Sequence, residues 1–258
     1  GTYPCLLVTQ DGQRHLVYRS ETTSGLRYAG APGIGPPGGL SPQALSGPGA
    51  ESDHGAYLAA GLNAAGLLEV CFYDTSNGRL LWLGESLSDG WGGPQTVDAS
   101  GTTGQHPCLL LTGDGKRHVV YRNQNDTGLR YGGNPGQTPP DVSLAFLSGA
   151  SPGAHHGVRL NAGIDAGGLL CVAFQDRTNG LLKVMGESEA AVWAAPETVA
   201  ADNGADSAPG LLLTATGERH VVFRDALLSG LRYGGAPGVA APAYPLVAYV
   251  AGEDAGLQ

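Results

Sequence analysis

The stretch HPCLLLTGDGKRHVVYRNQNDTGLRYGG, residues 106–133, decides the fold because the chain carries it three times. An earlier copy reads YPCLLVTQDGQRHLVYRSETTSGLRYAG at 3–30, and a later one reads APGLLLTATGERHVVFRDALLSGLRYGG at 208–235. Within each copy, short apolar runs rich in leucine, valine and aromatics are cut by turn chemistry. CLLLTG leads through GDG into RHVVYR, and NDTG leads into GLRYGG. Such runs between Gly, Asn and Asp clusters read as short antiparallel strands joined by tight hairpins.

Between these copies lies a second kind of segment. GLLEVCFYDTSNGRLLWLGES (66–86) returns as GLLCVAFQDRTNGLLKVMGES (168–188), with Trp91 and Trp193 following at matched positions. The two kinds alternate first, second, first, second, first, at a period of roughly 50 residues with four strand-like pieces per module. PLVAYVAGEDAG (245–256) aligns with SLAFLSGASPG (143–153), so the fifth module reaches its fourth strand. The expected fold is all-β: a single five-bladed β-propeller with blades at about 3–51, 52–100, 105–150, 154–202 and 207–254. A six-bladed ring lacking one blade is the alternative, because strict alternation would end on a module of the second kind.

Composition narrows the function. Gly 43 and Pro 17 are spread along the chain, as many tight turns require, and the net charge of -9 disfavours nucleic acid as a partner. No window of about 18 apolar residues occurs, so no membrane-spanning helix is expected. The opening GTYPCLL lacks an initiator methionine. A removed leader or a trimmed chain would account for that, and the reading is of a secreted, extracellular protein. No H-E-x-x-H, P-loop or C-x-x-C string is present. The sequence reading is therefore of a non-enzymatic protein without cofactor or metal.

Nine of the twelve arginines fall in equivalent triplets: Arg14, Arg117 and Arg219; Arg19, Arg122 and Arg224; Arg27, Arg130 and Arg232. The second and third triplets flank one turn, so Arg19 with Arg27, and their copies, are expected to project from one rim. Paired guanidiniums suit carboxylates, sulfates or vicinal hydroxyls, and the adjacent Tyr28, Tyr131 and Tyr233 offer rings to a sugar. The competing structural reading pairs these arginines with Asp74 and Asp176 on the neighbouring module. Trp91 and Trp193 either cover the core or face a pyranose. His15, His118 and His220 read as hydrogen-bonded strand residues, and His54 and His156 as loop residues. The D-x-x-N-G at Asp74 and Asp176 reads as a hairpin turn. Cys5, Cys71, Cys108 and Cys171 suggest interblade disulfides Cys5–Cys71 and Cys108–Cys171, or four buried thiols.

The pattern DG-x-RH-V-V-Y-R followed by G-L-R-Y resembles the blade repeat of secreted bacterial β-propellers, whose blades often read G-x-x-H-V-x-Y-x-D before an L-x-Y strand. The blade count and period are similar to five-bladed tachylectin-type lectins. The resemblance covers nearly the whole chain in architecture and implies a lectin-like, multivalent module for cell-surface or polymeric glycans, acidic ones included. Arg19, Arg122 and Arg224 depart from the bacterial pattern, and the Trp-rich tachylectin repeats are missing, so no sugar contact is carried over. A protein–protein scaffold within a secreted assembly is the alternative function.

Overall fold

The computed structural model describes residues 1–9, 12–31, 42–47, 53–87, 90–134, 143–149, 153–187, 193–201, 208–214, 217–225, 230–236 and 246–249. Among these the secondary structure is all β, with no helix. Five antiparallel sheets follow one another along the chain. Sheet one is built from Thr2–Val8, Arg14–Ser20, Gly25–Ala31 and Gln43–Ser46. Sheet two uses His54–Leu62, Leu68–Asp74, Arg79–Ser86 and Gln95–Asp98, with the short strand Gly90–Trp91 beside the third. Sheet three uses Thr103–Leu111, Arg117–Asn123, Gly128–Asn134 and Ser143–Ser148. Sheet four uses His156–Ile164, Leu170–Asp176, Leu181–Gly186 and Glu197–Ala200. Sheet five uses Gly210–Leu213, Arg219–Asp225, Gly230–Ala236 and Leu246–Tyr249.

Each sheet is a simple meander, and the turns joining its first three strands are too short for anything but a return to the neighbouring strand. In sheet three the first hairpin closes with Thr112 N donating to Lys116 O at 3.0 Å and Gly115 N donating to Thr112 O at 3.0 Å. Gly115 sits at φ 85 there, a backbone state that a side chain resists. The D-x-x-N-G segments are turns, as the sequence predicts. Asp74 Oδ1 accepts from Asn77 N at 3.2 Å, and Asp176 Oδ1 accepts from Asn179 N at 3.2 Å.

The chain separates into two compact units, residues 1–125 with 131–145 and residues 126–130 with 146–258. In the first, Val17 and Leu26 of sheet one pack on Leu68, Val70, Phe72, Leu81 and Leu83 of sheet two. The other face of sheet two carries Cys71, Leu80, Trp82 and Val97, which pack on Val119 and Tyr121 of sheet three. Sheet two is therefore apolar on both faces. This is why LEVCFYD is buried at every residue instead of alternating. In the second unit, Cys171, Ala173, Leu182, Val184 and Val199 of sheet four pack on Val221 and Phe223 of sheet five.

Candidate functional site

The first strands of sheets one, two and three each break register near their starts. The ladder shifts between Thr2 and Cys5, between Ala56 and Ala59, and between Gln105 and Cys108. Each bulge holds one aromatic residue in left-handed backbone: Tyr3 at φ 50, Tyr57 at φ 50 and His106 at φ 49. Pro4 and Pro107 follow two of them and cannot donate to the ladder, which favours a bulge at those points. Tyr57 has no such proline, so proline alone does not set the conformation. Left-handed backbone at a bulky residue costs on the order of 1–3 kcal/mol, and bulges re-aim side chains beside functional sites.

The three side chains form one row in the first unit. Tyr3 and Tyr57 have ring centroids 5.1 Å apart, Tyr57 and His106 4.3 Å, and Tyr57 and Tyr73 6.3 Å. Tyr3 is 42% exposed, whereas Tyr73 is buried behind Tyr57. Burial foremost, then the neighbouring Tyr57, pushes the Tyr3 phenol above its ordinary value. Burial likewise raises Tyr73, so both hydroxyls stay protonated and able to donate near neutral pH. Two arginines from the repeated triplets border the row. Arg19 lies opposite Thr2, and Arg122 lies opposite Gln105. Arg19 Nε donates to Asp53 Oδ1 at 2.8 Å, and Arg122 Nη1 donates to Gln105 Oε1 at 2.8 Å. Gln105 Nε2 continues to Gln124 Oε1 at 2.6 Å.

Sequence reasoning did not single out Tyr3, Tyr57 or His106. The available signal was positional: Y-P-C and H-P-C occupy the same place in two modules, and AYLAA supplies the third ring.

The expected arginine pairs do not converge. Arg19 stands opposite Leu26, whereas Arg27 stands opposite Tyr18, and directly opposed residues share a face. Arg19 and Arg27 thus lie on opposite faces of sheet one. Arg224 opposite Leu231 and Arg232 opposite Phe223 repeat the arrangement in sheet five. Arg27 Nε is buried without a hydrogen-bond partner among the described residues. Arg130 Nε donates to Asp126 Oδ2 at 3.1 Å, and Arg232 Nη1 donates to Asp225 Oδ2 at 2.8 Å. Nor are Asp74 and Asp176 the acceptors between modules. Asp74 accepts from Arg79 Nε at 2.8 Å within its own sheet, and Asp176 lies 2.7 Å from Lys183 Nζ. The carboxylate that meets Arg19 across the seam is Asp53.

The repeated histidines and tyrosines meet each other. His15 Nδ1 and Tyr28 OH are 2.9 Å apart, His118 Nδ1 and Tyr131 OH 2.7 Å, and His220 and Tyr233 make the same bond. The tyrosine ring reaches the histidine by lying over the glycine two residues on. A Cβ on Gly30, Gly133 or Gly235 would collide with that ring. Tyr28 also packs on Trp91 of sheet two, with centroids 5.5 Å apart, and Trp193 bridges to Glu187.

His54 and His156 are first residues of strands, not loop residues, and both are buried. His54 Nδ1 lies 2.6 Å from Ser46 Oγ, and its Nε2 lies 3.5 Å from Asp74 Oδ2. In the second unit, His156 Nδ1 lies 2.8 Å from Ser148 Oγ and its Nε2 lies 3.2 Å from Asp176 Oδ2. These Ser–His–Asp groupings have the residue types of a hydrolytic triad. Their members are nonetheless 7%, 8% and 0% exposed in the first copy, so the serine cannot meet a substrate. They fasten one sheet to the next. The four cysteines are free thiols. Cys5 Sγ approaches Ala60 O on one side of sheet two, while Cys71 packs on the side facing sheet three. Sheet two itself therefore separates the expected Cys5–Cys71 pair. Cys171 packs beneath Val221 and Phe223.

No protein-family model and no curated protein matches the sequence. Solved structures do. Ulvan lyase bound to -[GlcA(1-4)Rha3S]- has a TM-score of 0.64 at 9% identity, covering 97% of this chain and 70% of its own. A puromycin hydrolase has a TM-score of 0.59 at 13% identity, covering 94% of this chain and 39% of its own. The exo-beta-1,3-galactanase of Phanerochaete chrysosporium with galactose has a TM-score of 0.54 at 13% identity, covering 96% and 64%. The chain thus spans well under half of the hydrolase and under two thirds of the galactanase. These neighbours include β-propeller proteins that act on glycans. What they share with this chain is the fold.

They also correct the non-enzymatic reading, since these neighbours are enzymes: a polysaccharide lyase, a galactanase and a puromycin hydrolase. That reading rests on linear motifs alone. On a fold of successive sheets, a site is assembled from single residues on separate strands, as Tyr3, Tyr57 and His106 are. Short motifs cannot register such a site.

Proposed function

We propose that this chain contributes five blades of a single β-propeller and engages polymeric glycans at the Tyr3–Tyr57–His106 row. The observation that carries the reading is the row itself: three aromatic side chains from three successive sheets, each held in a costly left-handed bulge, in ring-to-ring contact. A partly exposed aromatic surface suits the C–H face of a pyranose, while phenol and imidazole edges meet its hydroxyls. Arg19 at the border favours a uronate or a sulfated sugar. The glycan-acting neighbours support the same ligand class. Tyrosine and histidine are also general acids and bases, so the site has the groups for turnover as well as for binding.

The experiment is calorimetric titration of the chain with neutral, uronate-containing and sulfated polysaccharides, with released reducing or unsaturated ends measured in the same samples. Binding or turnover that survives Tyr131→Phe and falls at least tenfold in Tyr57→Ala is the expected result. A chain inert to every polysaccharide sinks the proposal.

A further inference from the structure

Within the second unit, one apolar face of sheet five has no sheet on it, and the chain itself shows what covers its counterpart. Leu212, Val222 and Tyr233 occupy the module positions of Leu7, Val17 and Tyr28 in sheet one. Val17 is 0% exposed, because sheet two lies on it through Leu68, Val70 and Phe72. Val222 is 40% exposed and Leu212 65%. With His220, Tyr233 and Asn161 they line a hollow of about 420 Å³. In sheet one the equivalent position is occupied. The Ala60 carbonyl of sheet two lies 3.9 Å from Cys5 Sγ, and Gly210 is the counterpart of Cys5.

Within the first unit, sheet one shows the same deficit on its opposite face. Leu6 is 61% exposed and Val8 60%. The counterparts of Leu6 are packed: Leu109 on sheet two and Leu211 on sheet four. Within each unit, then, the apolar faces of first-kind sheets that are covered are covered by sheets of the second kind. The second-kind sheet brings the matching surface, being apolar on both sides.

We propose that the Leu212–Val222–Tyr233 face is the seat of one further sheet of the second kind, supplied from outside residues 1–258. The occupant is a four-stranded antiparallel sheet with the face chemistry of Leu68, Val70, Phe72, Leu81 and Leu83. It meets this face as sheet two meets sheet one. The proposal does not depend on the glycan reading, and its test involves no saccharide.

The test tethers a second copy of residues 153–201 to the C-terminal end of the chain through a flexible linker, which raises its effective concentration at the seat. Amide hydrogen exchange over 217–225 and 230–236 is the readout. The expected result is at least tenfold slower exchange there, abolished by Val222→Asp in the same extended chain. Unchanged exchange overturns the proposal, and so does equal protection by a tethered first-kind module, residues 103–149. A second measurement does not depend on the tethered module folding. Val222→Asp in the unextended chain should leave its thermal stability unchanged, whereas Val17→Asp should lower it sharply. Equal loss in both would mean that the chain already covers the face. Dimers of the unextended chain that Val222→Asp dissolves would mean that a second copy covers it, and either result overturns the proposal.

Discussion

The Arg117 guanidinium crosses the seam between sheets two and three and grips both carboxylate oxygens of Glu69. Nε donates to Oε2 at 2.5 Å and Nη2 donates to Oε1 at 3.0 Å. Glu69 is 1% exposed, and Trp82 Nε1 and Asn63 Nδ2 also donate to it. Arg117 lies over the Trp82 ring as well, 4.7 Å from its centroid. A buried pair of this kind adds little over apolar packing, but breaking it strands a charge. Arg117→Met is therefore expected to destabilise the chain by about 3–5 kcal/mol, with the Glu69→Leu, Arg117→Met double variant recovering most of the loss. Chemical denaturation of the two variants beside the parent checks this.

The aromatic row makes a separate prediction. Tyr57 touches Tyr3, Tyr73 and His106, so Tyr57→Phe should keep the row and retain glycan affinity within a few-fold. Tyr57→Ala should remove the shared surface and lower affinity by about 1–3 kcal/mol, the range for losing one aromatic stacking platform, here taken by analogy with bases. Titration with whichever polysaccharide binds the parent separates the two. If both variants bind like the parent, the ligand lies elsewhere.

Stability should fall in acid in two stages. Burial is the main cause that lowers the pKa of His54, His118 and His156 below the ordinary 6.5. A histidine with a depressed folded-state pKa stabilises the fold fully above about 6.5 and loses that contribution as pH falls below it, because the unfolded chain then binds the proton more readily. Asp74, Asp98 and Asp176 lie below the ordinary 3.8, Asp176 at about 2, since hydrogen bonds, with cations beside Asp74 and Asp176, outweigh their burial. Their contribution is lost as pH falls below about 3.8. Thermal midpoints should drop first between pH 7 and 5 and more steeply below pH 4. The His54→Gln, His156→Gln double variant should shrink the first stage to the share of His118 and leave the second.

The glycine under each tyrosine should resist substitution. In Gly133→Ala the new methyl group meets the Tyr131 ring, so the ring must leave and the bond to His118 goes with it. A loss of about 1–3 kcal/mol is expected, the range for overpacking a filled site. Gly113→Ala, where nothing lies near a Cβ, should be close to neutral. Thermal melts of the pair read the difference.

Much of the fold was legible in one dimension. The hairpin signals, the four strands per module and the alternation of two module kinds all reappear as successive antiparallel meanders. That legibility has a physical basis, since strands and tight turns are set by neighbours within a few residues. The candidate site was less legible. Arg19 and Arg27 flank one turn and looked paired, but a one-residue step in register puts them on opposite faces. Cys5 and Cys71 looked pairable, yet they meet opposite sides of sheet two.

The sequence by itself determined the strands, their hairpins and the module order, because each depends on local chain chemistry. Only the tertiary structure decided which side chains meet. The bulges that turn Tyr3, Tyr57 and His106 into one row, and the sheet that buries Val17 while Val222 stays open, arise from contacts between modules about 50 residues apart. Such contacts leave no local pattern in the sequence, because register and sheet-on-sheet packing select them.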